Sequence, residues 1–173
     1  MHLTFQEIIF AFALAGRIGD ILTTWLVTPQ LKLEANPLMR KFRWPFAGLT
    51  LLIAFIAFPM PEMGVVIATV SFMVAASNAM RIPTARIMGE DRLYEMALDQ
   101  AAAGALWPGL LWRLAPAPFY SLLAALMFFF FRTPDQWGYY IALGIALYIL
   151  VYVFYGSLAY SRLRRIALAR VER

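Results

Sequence analysis

Five apolar runs of roughly transmembrane length, each bounded by charge or proline, constrain this chain more than any other feature: Phe5 to Thr28, Trp44 to Met60, Met63 to Ile82, Ala115 to Phe131 and Trp137 to Tyr160. An α-helix rises 1.5 Å per residue, so about 20 apolar residues cover the roughly 30 Å of bilayer hydrocarbon. With 62% hydrophobic residues, 14% charged residues and a mean hydropathy of +0.69, the chain is too apolar for an ordinary soluble domain. The expected fold is an all-α integral membrane bundle, one domain over residues 1–173, with about five transmembrane helices. Pro59 and Pro61 stop the second run and leave a tight hairpin before the third. The opening residues Met1 to Glu7 lead into a long apolar stretch that reads as a retained first span, without the pattern of a cleaved signal.

Charge placement sets the orientation. With the amino terminus outside and five spans, the cytoplasmic segments hold 13 of the 15 basic residues, leaving only Arg132 outside and Arg17 within a span. That is the positive-inside bias expected of a multi-pass inner (plasma) membrane protein with a cytoplasmic carboxyl terminus. A sixth span at Ala97 to Leu114 would put the Arg-rich tail on the wrong side, so residues 83–114 are expected to form a cytoplasmic loop. That loop would carry an amphipathic or re-entrant segment, with Trp107, Trp112 and Arg113 among headgroups. Trp25, Trp44, Trp137, Tyr139, Tyr140 and Tyr160 fall near span ends, where an aromatic belt is expected. Topology and contact with anionic lipid account for the formal net charge of +5, and no basic patch is left over for nucleic acid.

Ionisable side chains inside a span cost at least about 2.5 to 3.5 kcal/mol each on insertion scales, which makes them candidates for function. Arg17 and Asp20 are three apart on the first span and can pair; Thr24 continues their face, flanked by small residues. That stripe should meet other helices while Ile18, Ile21, Leu22 and Trp25 lie elsewhere. In the third span Ser71, Ala75, Asn78 and Ile82 share helical spacing, with Arg81 a turn from Ser77 and Asn78. Between the first two spans, Glu34-Ala35-Asn36-Pro37 reads as a helix start, with Asn36 as cap, Pro37 in the first turn and Glu34 beside free backbone donors. Arg17, Asp20, Thr24, Glu34, Asn36, Asn78 and Arg81 are therefore expected to converge in the cytoplasmic half of the bundle.

Asp20 with Thr23-Thr24, then Glu34-Ala35-Asn36-Pro37-Leu38-Met39, then Asn78, resembles a family of small, uncharacterised bacterial and archaeal polytopic membrane proteins with an Asp…Thr-Thr…Glu-x-Asn-Pro signature. The likeness covers about the first 82 residues. Where such relatives often carry a lysine in the second span, this chain offers only Thr50. The resemblance implies no activity; it points to the same residues.

Several chemistries lack their residues. Cysteine is absent and His2 is the one histidine, so thiolate chemistry, histidine-rich metal sites, bis-histidine haem and a Ser-His-Asp triad have no support. No phosphate-binding glycine loop is present, and Gly89-Glu90-Asp91 reads as an ordinary turn. No cofactor or metal is expected. Three functions remain: binding or transport of a small ion, proton or lipid headgroup at the Asp20 cluster; a noncatalytic subunit or assembly factor of a larger membrane complex, as a homo-oligomer or with a membrane-protein partner; and an embedded enzyme acting on a lipid-linked substrate, with Asp20 and Glu34 as acid and base.

Overall fold

The computed structural model describes residues 3–104 and 106–171, the side chains of 106, 112, 113 and 171 excepted. Its helices are α1 (Phe5–Val27), α2 (Pro37–Thr50), α3 (Pro61–Ala79), α4 (Ile82–Ala103), α5 (Leu106–Leu114), α6 (Ala117–Phe130) and α7 (Trp137–Val171), with a 3-10 segment, Leu51–Ala57, following α2. The all-α expectation holds among the described residues.

Local chemistry explains most helix ends. Thr4 and Glu7 form a reciprocal capping box at the start of α1, with Thr4 N donating to Glu7 Oε2 at 2.7 Å and Glu7 N donating to Thr4 Oγ1 at 3.3 Å. The helix stops at Thr28, just ahead of Pro29. Asn36 caps α2 as the sequence suggests: Leu38 N donates to its Oδ1 at 2.9 Å, and Pro37 occupies the first turn. Within α2 the backbone breaks at Arg43, where φ is 57°, immediately before Trp44-Pro45.

Three helices are long and apolar enough to cross a membrane: α1, α3 and α7. The other two expected spans are shorter. After the break at Arg43 the second consists of the end of α2 and the 3-10 segment, reaching roughly 25 Å before Pro59 and Pro61 end it. The fourth, α6, has 14 residues. In contrast α7 has 35, roughly 52 Å of helix, and so extends well beyond the hydrocarbon thickness.

The expected loop at 83–114 is largely helical and packed. The second half of α4 lies on the carboxyl-terminal part of α7, where Leu98, Ala101, Tyr160, Leu163 and Ala167 form a buried cluster. Tyr160 is therefore a core residue, not part of an aromatic belt, because α7 runs on past it and turns it toward α4. Trp107, Trp25 and Trp137 are exposed. The side chains of Trp112 and Arg113, and His2, lie outside the described residues.

Lipid supplies no hydrophobic force to join helices, so close approach of small residues must do it. Helix α1 packs along α3, and α3 along α7. A Cβ on Gly16 would lie 3.1 Å from Ser71 Cβ and 3.3 Å from the Ala68 carbonyl oxygen; one on Gly144 would lie 2.7 Å from Thr69 Cβ. Ala13 and Ser71 are buried in these seams, while Ile18, Leu22 and Trp25 face outward from α1. The small, polar stripe of the first span thus meets α3, and that contact carries the polar residues of α1 into the protein interior.

Candidate functional site

Four of the expected residues form one hydrogen-bonded chain across the bundle. Arg17 Nη1 donates to Asp20 Oδ2 at 2.6 Å, with the two side chains only 18% and 14% exposed. The other guanidinium nitrogen, Nη2, reaches Thr50 Oγ1 at the end of α2, 2.5 Å away. Thr24 Oγ1 lies 3.4 Å from Asp20 Oδ1 and accepts from Asn78 Nδ2 of α3 at 2.9 Å. Helical spacing on α1 sets Arg17, Asp20 and Thr24 on one face, and packing against α3 adds Asn78. Asp20 is thus paired but not isolated. Oδ2 is held by a guanidinium, whereas Oδ1 makes only one long contact to a hydroxyl.

Glu34 approaches from the α1–α2 connection. Asn36 N donates to its Oε1 at 2.7 Å, and its carboxyl lies within electrostatic range of both Asp20 and Arg40. Burial pushes the Glu34 carboxyl above the ordinary glutamate range; the Asp20 charge adds to this, while the Asn36 and Ala35 backbone donors and Arg40 oppose it. A carboxyl that binds its proton more tightly when folded stabilises the fold below the unfolded pKa, and that contribution is lost as pH rises through the folded one. The unfolding midpoint of the wild-type protein should therefore fall, relative to Glu34→Gln, as pH is raised from the ordinary glutamate range upward. Parallel melting curves of the two proteins across pH 4 to 8 would check this; parallel pH profiles would refute it.

Two expected members do other work. The Asn36 side-chain oxygen is committed to capping α2. Arg81 does not join the cluster. It lies just past the end of α3, with its N–H donating to the Asn78 carbonyl at 2.9 Å, and its side chain borders a different cavity with Ser77 and Tyr148. The helix ends between Asn78 and Arg81, so helical spacing does not place the Arg81 side chain.

Other residues enter from a distance. Thr50 closes the Arg17 end of the chain. Arg162 of α7 donates to the Lys32 carbonyl at 3.0 Å and lies within electrostatic range of Arg40 and Glu34, so α7 also reaches the α1–α2 connection. The Nε atoms of Arg17, Arg40 and Arg162 are buried without a hydrogen-bond partner among the described residues.

Glu90, read as part of a turn, is a buried latch. Gly89 adopts φ 76°, a region open to glycine, and this bend in α4 lets the next side chain turn back to the α1–α2 connection. The Glu90 carboxylate accepts from Thr28 Oγ1 and from the backbone N–H groups of Gln30 and Lys32, the last two at 2.7 Å. Lys32 Nζ adds an exposed ion pair to Asp91. The latch fixes the connection that carries Glu34.

No family model, curated protein or solved structure matches this chain.

Proposed function

We propose that this is a polytopic membrane protein that binds or transfers a proton or small cation through the Asp20 cluster, with Glu34 as the neighbouring carboxyl on the cytoplasmic side. The observation that carries this reading is the placement of Asp20. Its carboxylate sits inside the contact between α1 and α3 with one oxygen only weakly used, and Glu34 lies within electrostatic range. Two nearby carboxyls of this kind favour sharing one positive charge over both remaining ionised. Arg17 keeps the site close to neutral when the ligand is absent, which limits the cost of an empty charge in the bundle.

A lipid headgroup fits this cluster less well than a cation. The terminal nitrogens of Arg17 are already engaged by Asp20 and Thr50, so a phosphate would have to displace both. The same residues carry the resemblance to the Glu-x-Asn-Pro membrane family, and membership of that family is part of this proposal. So is the orientation, with the amino terminus outside and Glu34 opening to the cytoplasm, supported by the distribution of basic residues.

Reconstitution in liposomes tests the reading. Imposed proton, sodium and potassium gradients should each be followed with an internal dye, using wild type and Asp20→Asn. Asparagine keeps an oxygen for Arg17 and Thr24 but cannot hold a proton or a negative charge, so at least one flux should fall to the empty-vesicle level in protein that remains folded. Equal fluxes from wild type and Asp20→Asn would reject it.

A further inference from the structure

A cavity lies away from the Asp20 cluster, between the end of α3, the start of α6 and the middle of α7. It measures about 170 Å³ and is lined by Ser77, Met80, Arg81, Tyr120, Tyr148 and Tyr152, with Pro116 at its edge.

 

Its walls differ in kind. Tyr120 meets Tyr148 edge-on with ring centroids 5.4 Å apart, and Tyr148 stacks on Tyr152 at 5.8 Å, giving an aromatic side that ends in hydroxyls. Tyr148 is 3% exposed and hydrogen-bonded to Ser77, which fixes that side. Arg81 lines the same cavity and has no carboxylate within salt-bridge distance among the described residues. A guanidinium and hydroxyls lining one cavity match the needs of a phosphate, which takes charge-assisted bonds from arginine and further bonds from neutral donors.

We propose that this cavity is a phosphate-ester site, in which Arg81 holds the phosphate charge and Ser77 and the tyrosines supply hydroxyls. The shared chemistry is a phosphate, free or on a lipid headgroup. The site is independent of the Asp20 cluster.

The full-length protein, delipidated in a neutral detergent, should be titrated with dihexanoyl phosphatidic acid, dihexanoylglycerol and inorganic phosphate, with binding read by intrinsic fluorescence and by thermal shift. Either phosphate-bearing probe should bind, and dihexanoylglycerol should not. Binding of the lipid alone identifies a headgroup site; equal binding of inorganic phosphate identifies a free-phosphate site. Arg81→Gln should weaken binding about tenfold or more, the effect of losing a hydrogen bond to a charged group. Arg86→Gln, an exposed arginine outside the cavity, should leave it unchanged. Failure of both phosphate probes to bind, or equal losses in the two arginine variants, would overturn the proposal. Since neither variant touches Asp20, the outcome is separable from that of the flux experiment.

Discussion

Glu90→Ala should destabilise the protein by about 3 kcal/mol, because a buried donor left without an acceptor costs about 1 to 3 kcal/mol and this carboxylate serves one buried and two partly buried donors. Three donors depend on this carboxylate: the Thr28 hydroxyl and the N–H groups of Gln30 and Lys32. The connection they hold is itself strained, since Leu31 adopts φ 60°, a left-handed conformation unfavourable for leucine, with its side chain buried against Met39 and Ala47. Without the latch, the packing of Leu31 and the Arg162 and Trp44 bonds to the connection still restrain it. For a chain of this size the loss corresponds to roughly 6 to 12 °C in Tm. Glu90→Gln should fall between, as an amide keeps one acceptor oxygen but turns an NH2 group toward a donor. Amide exchange at Gln30 and Lys32 should accelerate in both variants. A Glu90→Ala protein with wild-type Tm and unchanged exchange at these two amides would contradict the latch.

Arg17→Leu should cost about 3 to 5 kcal/mol, the effect of leaving one partner of a buried ion pair uncompensated. The Asp20 carboxylate would keep only the 3.4 Å contact to Thr24 in a largely buried position. The pair itself contributes much less than this figure, because most of the Coulomb gain offsets the desolvation of two charges. Arg17→Leu combined with Asp20→Leu should therefore recover most of the stability lost by Arg17→Leu alone. Thermal unfolding of the two single variants and the double variant measures the coupling directly. Additive losses would show that Arg17 and Asp20 do not act as a pair. The double variant should still carry no flux, which separates the structural role of the pair from its proposed function.

The Asp20 cluster was legible in the sequence to the extent that it is local. Arg17, Asp20 and Thr24 share a helix face by spacing alone, and Asn36-Pro37 announces a helix start through the chemistry of its own side chains. Gly16 and Ser71 lie on the faces where α1 and α3 meet, and that contact brings Asn78 to Thr24. Arg81 misled for the opposite reason. It follows Asn78 closely in sequence, but the chain leaves α3 between them, and helical spacing no longer governs where its side chain goes.

Glu90 gave little warning, since a Gly-Glu-Asp stretch is common in exposed turns. Its role depends on contacts 58 to 62 residues away, made possible by the bend at Gly89. Arg162 is a still longer case, 130 residues from the carbonyl to which it donates. A row of arginines at the end of an apolar helix reads equally well as a topology signal.

By itself, the amino-acid sequence determined the all-helical class, the three long apolar helices, the Asn36 cap and the pairing of Arg17 with Asp20, because apolar length, proline position and helical spacing act over a few turns. Only the tertiary structure decided that Glu90 latches the α1–α2 connection, that Thr50 and Asn78 complete the chain through Asp20, and that Arg81 faces a separate cavity. Those contacts depend on how far each helix runs and which way it is rotated against its neighbours, and both follow from the packing of the whole bundle.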